Sequence, residues 1–160
     1  MNDPNLLEAE RLWTSGKTWE AGEILFARIP EPDRPAWAAR CLRLAVEYSG
    51  ATLKIIQDVL NLAESRKRWK YGHDVFDKVR TQTLSMDEKS RSRTLSQSEQ
   101  KELWLLEIAE LVAKISYNAT DPYDPFDDDT GHRMAQHLHA YSEFIGANFR
   151  QKAWQTLSQT

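Results

Sequence analysis

Ser96–Ser116, SQSEQKELWLLEIAELVAKIS, decides the fold. It opens with a capping box. The Ser96 hydroxyl can accept from the backbone N–H of Glu99, while the Glu99 carboxylate reaches back to the N–H of Ser96. Apolar residues then recur every three or four positions, the spacing of a helix face. At about 100° per residue, Trp104, Ile108, Leu111, Val112 and Ile115 fall on one side, with Leu103, Leu106 and Ala113 nearly opposite. A helix apolar on two faces is packed on both. The spacing predicts a helix over about 97–116 in the centre of an all-α bundle.

Outward from this segment the same period continues. Six glycines and six prolines in 160 residues are few, and they mark breaks between helices. Asp3-Pro4 is a helix start, with a capping side chain followed by proline in the first turn. A first helix ends near Ser15-Gly16, and a second runs from about Thr18 to Arg28 with Ala21, Ile24, Leu25 and Ile29 inward. Pro30, Pro32 and Pro35 interrupt, and Asp33 can cap a third helix to about Tyr48, closed by Gly50. A fourth is expected over about 51–68 and a fifth over 73–84, separated by Gly72. Residues 85–98, SMDEKSRSRTLSQS, are rich in serine and charge and read as a polar linker. A seventh helix is expected over about 130–157, burying Met134, Leu138, Tyr141, Ile145 and Phe149. The expectation is one domain of six or seven helices, with hairpins over 1–84 and two long helices over 99–160.

The stretch LWTSGKTWEAGEILFARIP, Leu12–Pro30, resembles a single tetratricopeptide unit with one residue inserted between Gly16 and Ala21. No second copy follows at the period of about 34 residues, and a solenoid needs about three. The resemblance implies a helical hairpin and nothing further.

No apolar run approaches the roughly 20 residues that span a bilayer. The start, MNDPNLLEAERLW, is acidic and lacks the basic-then-apolar layout of a signal peptide. A cytoplasmic protein is expected. Cys41 is the single cysteine, so no internal disulfide is available. It lies on the stripe Trp37, Cys41, Leu44, Ala45, Tyr48 and reads as a buried, inert thiol.

The net charge of −3 is unevenly spread. Residues 66–101 carry 10 basic and 5 acidic side chains, whereas residues 102–160 carry 4 and 9. The basic run Arg66, Lys67, Arg68, Trp69, Lys70, Tyr71 interleaves cations with aromatics. That pattern suits an acidic partner, and also phosphate contact with base stacking. Arg91 and Arg93 could extend it. Six tryptophans are a surplus; Trp19 and Trp69 are expected partly exposed, tryptophan is enriched at binding hot spots, and Trp19 is therefore grouped with 66–71 as a candidate partner or nucleic-acid surface.

The other chemical concentration is Tyr117–His139, YNATDPYDPFDDDTGHRMAQHLH. Asp127, Asp129, His132, His139 and Glu143 could supply carboxylate and imidazole ligands to a divalent metal. His139 and Glu143, four apart, share a helix face, and His132 falls on the same side. The EF-hand order fails, and neither H-E-x-x-H nor E-x-x-H occurs. The plainer account is that aspartates gather before a helix N-terminus, where Asp129 or Thr130 can cap. G-x-S-x-G, P-loop and dinucleotide fingerprints are also missing. A non-enzymatic protein-interaction module without cofactor is therefore expected. A metal site at 127–143 and nucleic-acid binding through 66–71 are the alternatives.

Overall fold

The computed structural model describes residues 3–120 and 128–159, and among them it is entirely helix, turn and loop. Eight α-helices follow in order: α1 Pro4–Thr14, α2 Thr18–Ala27, α3 Arg34–Ser49, α4 Lys54–Ala63, α5 Gly72–Ser92, α6 Gln97–Asn118, α7 Thr130–Ile145 and α8 Ala147–Ser158. Short 3₁₀ turns occupy Glu31–Asp33 and Arg66–Tyr71. No helix among the described residues is long and apolar enough to cross a membrane.

The centre is α6, and its start is the expected one. Ser96 Oγ accepts from Glu99 N at 3.1 Å, and Glu99 Oε1 accepts from Ser96 N at 3.1 Å. From Glu99 to Ala119 no residue is exposed, because α3, α4, α5 and α7 surround the helix. Leu105, Ile108, Ala109 and Val112 are fully buried, together with Leu106, Ala113 and Ile115 on the flanking faces. Trp104 stays half-buried, its ring 6.0 Å from that of Tyr141.

The N-terminal hairpin also forms as expected. Asp3 Oδ1 accepts from Asn5 N at 2.9 Å, starting α1, and Gly16 at φ +88° turns the chain into α2. The hairpin is then docked on α7 through glycine. A Cβ on Gly22 would lie 2.6 Å from the His132 Cα, and one on Gly131 would lie 2.1 Å from the Phe26 ring. These two positions let the α2 and α7 backbones approach closely.

Four expectations are corrected. The fourth helix is shorter than 51–68: α4 ends at Ala63 and a 3₁₀ turn follows. Gly72 begins α5 rather than separating two helices. A Cβ there would stand 2.7 Å from the Tyr117 Cβ, so its smallness serves contact with α6. The polar linker over 85–98 is helix as far as Ser92, because Val79, Thr83 and Met86 give α5 one thin buried stripe against a wet remainder. Finally, the helix expected over 130–157 breaks at Gly146, whose φ of +126° suits glycine and strains other residues. Beyond it α8 folds back on α3 and α7.

Candidate functional site

The turn Arg66–Tyr71 owes its shape to one buried indole. Trp69 is 6% exposed, and its Nε1 donates to the Ala63 carbonyl at 2.9 Å, one of the orphaned acceptors at the end of α4. Ser65 O accepts from Arg68 N at 2.8 Å and closes the first 3₁₀ turn. In such a turn side chains three apart eclipse, which brings the Arg66 guanidinium to 5.8 Å from the Trp69 ring centroid.

Fixing Trp69 inward leaves Arg66, Lys67, Arg68 and Lys70 exposed. None of them makes an ion pair among the described residues, and Glu64, the adjacent carboxylate, is taken by Arg43. Tyr71 is 52% exposed, and the Lys70 ammonium sits 5.2 Å from its ring centroid. Beside the turn lies a shallow groove of about 220 Å³, lined by Asp58, Asn61, Leu62, Arg68, Tyr71 and Val75. The site is thus a braced cationic edge, whose four cations make no ion pair among the described residues, with one exposed phenol.

Three other sequence expectations about this surface are corrected. Trp69 is an anchor, so of the two aromatics in the run only Tyr71 is offered to a partner. Trp19 is 40% exposed as expected, but it belongs elsewhere, on α2 with its ring 4.9 Å from that of His132. Arg91 lies near the far end of α5, about 30 Å along the axis from Tyr71 at 1.5 Å per residue. Arg93 is held by Glu99 in a two-pronged pair at 2.7 and 2.6 Å, which lowers the Glu99 carboxyl to about 2.

Among the described residues, the metal-ligand candidates do not converge. His132 and His139 are seven residues apart on α7, about 10 Å along its axis. The His132 ring packs on Trp19, while the His139 ring meets Trp13 edge-on at 5.1 Å. His139 Nδ1 lies 3.7 Å from Glu143 Oε1, the one close pair within the set. Desolvation, and then the Arg150 charge, lower the His139 pKa against the pull of Glu143. Asp129 instead pairs with Arg133 at 3.0 Å, and it is Asp128, not Asp129, that accepts from Thr130 N at 3.1 Å. Asp127, like Asp121 and Asp124, lies outside the described residues. Among those described, no three His, Cys, Asp or Glu side chains gather to hold an ion.

Cys41 is fully buried, and burial pushes its thiol up to about 12, far from a nucleophile's range. His137 is half-buried and donates from Nδ1 to the Arg133 carbonyl at 2.8 Å, with Nε2 3.5 Å from Glu107 Oε2. It ties α7 to α6.

Sequence reasoning missed one grouping, Ser142, Arg150 and Trp154 around Trp13, because it depends on the chain reversal at Gly146. Gly146 was the available signal: a glycine inside a long apolar-periodic stretch marks a break. No protein-family model, no curated protein and no solved structure matches this chain.

Proposed function

We propose that this chain is a non-enzymatic protein-interaction module that docks an acidic segment of a partner on the turn Arg66–Tyr71. One observation supports this above the others: four exposed cations stand without acidic partners among the described residues, on a turn pinned from inside by Trp69. Pre-ordering matters because a braced turn loses little conformational freedom on binding. Long-range attraction from such an edge accelerates encounter with an anionic partner and weakens with salt. The adjoining groove, whose wall also carries Asp58, offers the half-buried Val75 and the exposed Tyr71 ring to an apolar side chain of the same segment. Nucleic acid is less well served, since single-strand binding draws on several stacking aromatics and here only Tyr71 is presented. The sequence expectation of a cytoplasmic location belongs to the same proposal.

The test is fluorescence anisotropy with a labelled glutamate-rich peptide carrying one leucine, against a scrambled basic control. We expect saturable binding to the acidic peptide that falls with added salt. It should drop at least about tenfold in the triple variant Arg66→Gln, Lys67→Gln, Arg68→Gln, whose circular dichroism is unchanged. Absence of binding, or equal binding by the triple variant, overturns the proposal. Tighter binding of a single-stranded oligonucleotide than of the peptide assigns the edge to nucleic acid instead.

A further inference from the structure

The reversal at Gly146 creates a second feature, independent of the cationic turn. Where α8 returns beside α1, it leaves a groove of about 410 Å³. That is within the roughly 300–1,000 Å³ usual for small-ligand sites. Trp13 and Trp154 line it, with ring centroids 5.7 Å apart and planes at 34°. Trp13 is immobilised: its Nε1 donates to the Ala135 carbonyl at 3.2 Å, and the His139 ring abuts it. Trp154 is only half-buried and presents aromatic surface.

Arg150 supplies the charge. Its Nε donates to Ser142 Oγ at 2.9 Å, and Ser142 is itself buried and bonded to the His139 carbonyl. This aims the guanidinium and leaves both terminal nitrogens without an acceptor among the described residues. The acids on neighbouring elements do not neutralise it. Glu143 of α7 faces His139, and Glu10 lines the α1 wall without pairing with Arg150. Gln151 and Gln155 complete the α8 wall with neutral amides.

We propose that this groove binds a small aromatic carboxylate, its ring against Trp154 and its carboxylate on the two terminal N–H groups of Arg150. A guanidinium held by Nε keeps a planar fork that matches a carboxylate in two-pronged fashion. Indole surface favours a flat apolar body. Glu10 on the opposite wall repels an anion and sets the orientation, with the charged end toward α8.

Titration of the full chain with phenylacetate and with neutral phenylacetamide, followed by calorimetry and by the indole N–H resonances, tests this. Phenylacetate should bind about tenfold or more tightly than the amide, as expected for a charge-assisted pair. It should move the Trp154 resonance and leave that of Trp69 in place. Arg150→Gln should erase the preference for the acid, and Arg150→Lys, which keeps charge without the fork, should retain only part of it. A peptide ending in phenylalanine carries the same two groups. If it competes and its C-terminal amide does not, the chemistry stands and the source is a chain terminus. Equal affinity for phenylacetate and phenylacetamide, a stationary Trp154 resonance, or an unchanged preference in Arg150→Gln overturns the assignment.

Discussion

The Trp69 indole donates to the carbonyl of Ala63 at 2.9 Å, six residues back, and so ends α4 and shapes the turn after it with a single bond. Trp69→Phe keeps most of the buried ring but leaves that carbonyl unpaired. A loss of about 1–3 kcal/mol is expected, readable as a lower urea midpoint at unchanged m-value. The same variant should weaken acidic-peptide binding although no charge has been removed. A full-strength complex in Trp69→Phe would show that bracing is irrelevant to docking.

Gly22→Ala is expected to destabilise by at least about 1–3 kcal/mol. The new methyl would meet the His132 Cα at 2.6 Å, a backbone atom that cannot turn aside like a side chain. Thermal melts of Gly22→Ala and Gly131→Ala should both fall by several degrees. A neutral Gly22→Ala would mean that α2 and α7 stand further apart than described.

His137 should make stability depend on pH. Burial opposes its protonation, but the Glu107 carboxylate and the Arg133 carbonyl outweigh that and raise its pKa. A raised imidazole stabilises the fold fully below the unfolded value of about 6.5, and the contribution disappears as pH rises through the higher folded value. His139 acts in the opposite sense: its lowered pKa takes stability away as pH falls below that same unfolded value. His137→Gln should therefore fall further below the parent at pH 5 than at pH 8. Urea titrations at both values measure the gap, and an identical gap at both denies the coupling.

Cys41 should resist thiol reagents in the native protein and react at once in denaturant, because it is fully buried with its thiol pushed up to about 12. Colour release from a disulfide reagent, followed with and without urea, measures this directly. Rapid native labelling would contradict the packing around α3.

Ser96→Ala removes half of the capping box of α6 and should cost about 1 kcal/mol. Denaturation midpoints compare it with Ser98→Ala, an exposed neighbour that should be silent.

Legibility followed the strength of local physics. The cap at Ser96 and Glu99 and the two-sided apolar pattern of α6 were readable because each is a short-range signal, and both hold. The end of α5 was not readable from composition. Its last two turns are almost wholly polar, and only the spacing of Val79, Thr83 and Met86 reveals a helix with one narrow dry edge. The break at Gly146 hid because Ile145 and Phe149 keep helical spacing across it. For the site, the cationic character of 66–70 was plain. The inward course of Trp69 was not, since an aromatic among cations suits a stacking surface and a core anchor equally. His132 and His139 shared a calculated helix face, but their rings meet different tryptophans, from α2 and α1, while His137 meets a third, from α6. Spacing along one helix carries no information about which neighbours arrive opposite.

Trp13 bonds to Ala135 and Trp37 bonds to Leu157, so each indole waits for a carbonyl about 120 positions later in the chain. At roughly 5–20 residues per second of synthesis, α1 to α3 leave the ribosome on the order of ten seconds before their partners exist. Throughout that interval Phe26 and Trp37, although they pack on each other, lack the cover that Gly131 of α7 and Leu157 of α8 supply. The interior begun by the first three helices is therefore completed only once α7 and α8 have emerged. Severing the chain between α6 and α7 would strand two sticky pieces, neither able to complete the other's interior alone.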